Sequence, residues 1–190
     1  MVTGIPGVGK TTVLDKFIRI CEERRVKATV LSVGTLMLDE AVSRGLARDR
    51  DGLRGLTLSQ QRDLREASVH RILTAKKEFD VVLLDTHFMI RSRGGYLIAL
   101  PREFLESISP DFFAVVEASV DEIVHRRRKD TTRARDAVDP TEVRIEQDLT
   151  RQAVFVLASM YNANVIRVVN SRNRADQAAR KLYEFFLEGA

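Results

Sequence analysis

The sequence predicts a doubly wound α/β fold, a parallel five-stranded sheet covered by helices on both faces, on three observations. Short β-rich apolar runs alternate with helical patterns along the whole chain. One of those runs, 81–84, is apolar at every position, as expected of a strand covered on both sides. The first run leads at once into a glycine-rich turn that opens a helix.

The first strand is a stub, Met1, Val2 and Thr3, so either it is short or the gene product begins a few residues earlier. A helix follows over 10–24, then the strand "KATVLSV" over 27–33 and helices over 35–45 and 59–77, the latter opened by Thr57 with Gln60 as a capping box. "DVVLLD" (80–85) and "FFAVVEA" (112–118) are the next strands. Ser119 with Glu122 caps a helix over 119–129, and Asp139, Pro140 and Glu142 supply cap, first-turn proline and third-position acid for a helix over 140–161. The strand "NVIRVV" (164–169) and a helix over 174–187 complete the order. The 190 residues contain no internal repeat and suit one domain, 1–190.

Composition removes several classes. No stretch approaches the roughly 18–20 consecutive apolar residues of a membrane helix, and the N-terminus shows no basic leader before an apolar run. One cysteine, Cys21, forms no internal disulfide, which fits a reducing, cytoplasmic setting and a small apolar role on a helix face. There is no Cys/His cluster with zinc spacing, so no zinc is expected. The net charge of +4 is concentrated: "HRRRKDTTRARD", residues 125 to 136, holds six Lys or Arg against two acids, and the rest of the chain balances. A protein that coats nucleic acid spreads its basic residues over a face, whereas this excess sits in one place between two helices.

"GIPGVGKT", Gly4 to Thr11, satisfies G-x-x-x-x-G-K-[ST] in full and in the required strand-turn-helix context, which makes the fold P-loop NTPase-type. Gly4, Ile5, Pro6, Gly7, Val8, Gly9, Lys10, Thr11 and Thr12 form the candidate phosphate site: backbone N–H groups turn around phosphate oxygens, and the helix N-terminus adds its dipole. Lys10 is expected to bridge the β- and γ-phosphates and the Thr11 hydroxyl to hold Mg²⁺. Asp85, at the carboxyl end of a buried strand, is the second candidate magnesium ligand.

A phosphate loop alone also allows a GTPase or a motor. "NVIRVVNSRN" lacks the guanine-selecting N-K-x-D, and motor or helicase cores need a longer chain, which leaves a small-molecule kinase in front. In "DTHFMIRSRGGYL" (85–97), Arg91 lies six residues past the acid, where its fork suits an acceptor phosphate. Upstream, Arg48, Arg50 and Arg54 stand around Asp49 and Asp51, a mixture that also describes an ordinary solvated face. His87 is a candidate for substrate contact, against plain loop packing; His70 and His125 read as structural or solvated.

Taken together, "VTGIPGVGKTT", "ARDRDGLR", "DTHFMIRSRGGYL" and "RRRKDTTRARD" resemble the archaeal-type adenylate kinases from end to end. The resemblance implies transfer of the γ-phosphoryl group of Mg·ATP to AMP, giving two ADP, in adenine nucleotide homeostasis, and often a homotrimer. It implies a small AMP-binding excursion, about 34–75, and a short lid, about 129–139. By matched motif, Arg91 falls on the acceptor phosphate and Arg50 or Arg54 on the AMP-binding segment. Arg126, Arg133 and Arg135 fall on the lid, which leaves Arg127, Arg128 and Lys129 as solvated neighbours. Lys10, Arg91, Arg126, Arg133 and Arg135 are the expected catalytic residues, and Gly34, Arg50, Arg54, His87 and Arg91 the expected substrate contacts. Two departures fall on the acceptor side: Gly34 is followed by Thr35 where the family often has an acid, and Arg93 is an added charge in "SRGGYLIALP". Kinases with another nucleoside monophosphate or small acceptor, and an ATPase that binds nucleic acid through 125–136, are the rival readings.

Overall fold

The computed structural model describes residues 1–92, 95–129 and 139–187. Five parallel strands form the sheet: β1 (Val2–Thr3), β2 (Ala28–Ser32), β3 (Val81–Asp85), β6 (Phe112–Glu117) and β7 (Asn164–Val169), in the spatial order β2-β3-β1-β6-β7. β1 lies at the centre: Val2 is opposite Asp85 on one side and Ala114 on the other.

Alternation along the central strands creates two cores. Leu83 of β3 and Ala114 and Val116 of β6 face one core, while Leu84, Phe113 and Val115 face the other. This is why 81–84 reads as continuously apolar: each successive side chain meets a different covering layer. The first layer holds α1 (Lys10–Glu23) packed against α8 (Ala175–Leu187), with α6 (Val120–Lys129) and the start of α7 (Pro140–Met160). Phe17, fully buried, anchors it by tilted and edge contacts with Tyr183 and Phe186. The second layer contains α2 (Val33–Ser43) and α4 (Leu58–Glu78), which pack together, and α5 (Arg102–Ile108) against α4.

The predicted caps are present. Thr57 and Gln60 form the full box, the Glu122 amide donates to Ser119 Oγ at 3.3 Å, and the Thr141 amide donates to Asp139 Oδ1 at 2.8 Å. Four elements escaped the pattern. The six-residue α3 (Arg50–Gly55) contains two glycines and no apolar period; it exists because Asp49 Oδ1 accepts from the Gly52 amide at 2.7 Å and Leu53 is buried. α5 begins behind Pro101, whose fixed φ suits a helix start. Two strands, β4 (Met89–Ser92) and β5 (Gly95–Ile98), pair antiparallel as a separate hairpin beyond the carboxyl end of β3. No described helix is long and apolar enough to cross a membrane.

Candidate functional site

The turn between β1 and α1 is the centre of the site. Gly9, the residue before α1, is left-handed at φ 81°, and Gly7 has φ 94°, backbone that glycine adopts without strain. A side chain on Gly9 would run into the Asn170 amide, and one on Gly7 would crowd Ile123 and Arg127. The first turn of α1 has no side-chain cap and no acidic residue, so its N–H groups and the positive end of its dipole remain for an anion.

The loop's carbonyls are held from outside. Arg127 Nε donates to the Pro6 carbonyl at 2.8 Å. Arg126 Nη1 donates to Val8 at 2.8 Å and Gly7 at 3.3 Å, Asn170 Nδ2 to Val8 at 2.8 Å, and His87 Nδ1 to Gly4 at 3.1 Å. Because C=O and N–H point opposite ways across a planar trans peptide, tying the carbonyls outward turns the following N–H groups inward. Arg127 is anchored in turn to Glu146 at 2.8 Å, both side chains nearly buried. It is therefore a strut beneath the loop and not the solvated neighbour expected from its place in a basic run. Asn170, the residue after β7, was not singled out either; its signal is its position at the carboxyl end of a parallel strand, the edge where such sheets gather ligands.

The Lys10 ammonium is buried, donates to the Thr86 carbonyl at 2.9 Å and bonds Asp85 Oδ1. The two residues expected to serve phosphate and metal are thus brought together from α1 and β3. Burial holds the Lys10 ammonium below the usual lysine range, with the Asp85 carboxylate pulling the other way. Thr11 and Thr12 are exposed in the first turn of α1. Beside the loop, a concavity of ≈ 590 Å³ opens between α6 and the segment after β7, lined by Glu122, His125, Arg126, Lys129, Arg172 and Asn173 among others.

On the other side, Arg50 Nη2 donates to Thr35 Oγ1 at 2.8 Å, and a side chain on Gly34 would come within 2.8 Å of the same guanidinium. The structure therefore joins Gly34 and Arg50 through Thr35, the residue that departs from the family's acid. Arg54 instead pairs with Asp51 at 2.9 Å on the exposed face of α3. Arg91 lies on β4 opposite Tyr96. Arg93, Arg133 and Arg135, and most of the expected lid, lie outside the described residues.

Comparison with known proteins follows the same lines. A protein family described as an AAA domain matches residues 3–144. The chain is 36% identical over 185 residues to the adenylate kinase of Thermococcus onnurineus, covering 97% of this chain and 92% of that protein. It is 37% identical over 180 residues to the adenylate kinase of Thermococcus kodakarensis, covering 94% and 89%. To that of Methanocaldococcus jannaschii it is 35% identical over 184 residues, covering 97% and 95%. Among solved structures, shikimate kinase from Bacteroides thetaiotaomicron matches with a TM-score of 0.52 at 17% identity, covering 97% of this chain and 95% of that one, a likeness of fold.

Proposed function

The chain belongs to the archaeal adenylate kinase family, and on that premise we propose that it catalyses reversible transfer of the γ-phosphoryl group of ATP to AMP, giving two ADP. The phosphate loop carries this reading: its carbonyls are tied outward, its helix end is uncapped and free of acids, and a buried lysine waits beside it.

An acceptor phosphate oxygen is anionic at neutral pH and needs no general base. The rate then comes from aligning donor and acceptor and from neutralising charge on the transferring group. In this reading Lys10 leaves Asp85 for the β- and γ-phosphate oxygens, which frees the carboxylate. The Thr11 hydroxyl and Asp85 are the oxygen donors for magnesium, an ion that keeps most of its ligands as water and phosphate and so needs no all-protein cage. Among the described residues no cluster of three His, Cys, Asp or Glu offers such a cage. When bound, magnesium neutralises charge on the β- and γ-phosphates. The concavity beside Arg126 takes the ATP base and ribose; a volume of ≈ 590 Å³ is within the usual span for small-ligand sites.

The excursion of about 34–75, with Gly34, Arg50 and Arg54, takes AMP together with His87 and Arg91. A lid of about 129–139 brings Arg133 and Arg135 over the phosphates, its base set by Arg126. We also assign a cytoplasmic setting and a homotrimer; the exposed Ile145, Val156 and Met160 along α7 offer apolar surface for self-association, which light scattering tests.

The deciding experiment is a steady-state assay with ATP and each of AMP, CMP, UMP, GMP and dAMP. Preference for AMP is expected, and preference for any other acceptor overturns the reading.

A further inference from the structure

Arg65 is an arginine that the catalytic account does not use. It lies on the buried stripe of α4 with Ser68, Ile72 and Ala75, and is 9% exposed. Its Nε is sealed from solvent with no acceptor, and among the described residues its guanidinium makes no hydrogen bond, ion pair or ring contact. Burial lowers its proton affinity, and its charged neighbour, Arg62, adds to the effect instead of relieving it. A guanidinium largely withdrawn from water, with a sealed N–H that has no acceptor, is costly, and folded proteins retain such an arrangement rarely. Arg50, Arg54, Arg126 and Arg127, by contrast, all have partners: Arg50 has Thr35, Arg54 has Asp51, and Arg126 and Arg127 have loop carbonyls.

Its position gives the missing partner a place. The preceding residue, Leu64, shares a core with Val33 and Leu36, which flank Gly34 and Thr35; with Leu53 of α3; and with Phe88, three residues past Asp85. α4 packs on α2, the helix that carries Gly34 and Thr35, and also on β3, the strand that ends at Asp85. We propose that Arg65 is a binding residue for the phosphate of the acceptor nucleotide, its guanidinium completed by a phosphate monoester when the acceptor enters. A planar fork of N–H donors matches two oxygens of one phosphate. The free protein thus holds an uncompensated cation that the acceptor neutralises, a preference for anionic acceptors built into the wall of the site. This rests on the kinase reading given above.

The test compares the Kd of AMP with that of adenosine, by calorimetry, in the wild-type chain and in Arg65→Met and Arg65→Lys, with melting temperatures of the free proteins. Losing a charge-assisted phosphate contact, Arg65→Met should weaken AMP by about ten- to a hundredfold, leave adenosine within about twofold, and melt no lower than wild type. Arg65→Lys, which keeps the charge without the fork, should fall between. Unchanged AMP affinity in Arg65→Met, equal weakening of AMP and adenosine, or a lower melting temperature in both variants would overturn the proposal in favour of a structural arginine. Turnover of the wild-type chain separates the two readings: if it rejects AMP the kinase assignment fails, and the same comparison is then made with the monophosphate it does accept and the matching nucleoside.

Discussion

Around the phosphate loop the side chains that shape it are already bonded: Arg126, Arg127, Asn170 and His87 each hold a backbone carbonyl, and Lys10 rests on Asp85. Across the cleft the opposite holds. Arg50 has one hydroxyl, Arg54 a surface carboxylate, and Arg65 no partner among the described residues. The contrast follows from what each side must do. A triphosphate carries enough charge to be bound by fixed backbone dipoles, and dipoles serve best when they need no reorganisation. A monophosphate is smaller and must be told apart from its competitors, which favours side chains whose partners arrive with the ligand. The donor side is preorganised by the protein, and the acceptor side is completed by substrate.

The sharpest way to break this contrast is at Lys10. Lys10→Met removes the charge that the loop itself places on the transferring group, and loss of a single positioned charge there should lower kcat by about 10²- to 10³-fold. The melting temperature should fall only modestly: the ammonium's burial cost is relieved, and the carboxylate left unpaired at Asp85 is 22% exposed and can be hydrated. Stopped-flow turnover and a thermal melt check both parts. A large melting loss would mean that the pair is a structural tie rather than a ligand site at rest.

Next in size is Arg127→Met, which removes the strut and leaves the loop geometry to Arg126 and Asn170. Losing charged hydrogen bonds to Pro6 and Glu146 should cost about 1.5–3 kcal/mol, a drop of about 4–10 °C in Tm, with weaker ATP binding and an unaltered KM for the acceptor. Differential scanning calorimetry and nucleotide titration measure these; a Tm within about 1 °C of wild type would show that the loop holds its shape without the strut.

How much of this could be read from residues alone divides along the same contrast. The phosphate loop, Lys10 and Asp85 are legible because their chemistry demands fixed spacing in one short segment and a strand end 75 residues on. The strands are legible because short β-rich apolar runs alternate with helical patterns, and in β3 because cover on both faces leaves a continuous apolar run. Arg127 is not, because a basic run looks the same whether its members face water or a backbone carbonyl, and Glu146, its anchor, lies on another helix. Asn170 is hidden for the same reason: its partner Val8 is 162 residues away. Arg65 is hidden because a buried arginine on α4 leaves no mark in a helix whose polar and apolar residues are already mixed. The hairpin β4-β5 and the short α3 escaped because neither has length enough to show a period.

The smallest effect expected tests whether the acceptor side relies on local contacts. Thr35→Val keeps shape but removes the hydroxyl that receives Arg50. The bond is exposed, so its net worth lies near the low end of about 0.5–1.5 kcal/mol. Freed of it, Arg50 should sample more rotamers, and the KM for AMP should rise by about two- to threefold while the KM for ATP and the Tm stay unchanged. Thr35→Ser, which keeps the hydroxyl, should behave as wild type. If Thr35→Val instead altered the KM for ATP, Arg50 would have to act across the cleft, and the separation between a fixed donor side and a ligand-completed acceptor side would fail at the point where the two come closest in sequence, the strand end that leads from Ser32 into Gly34.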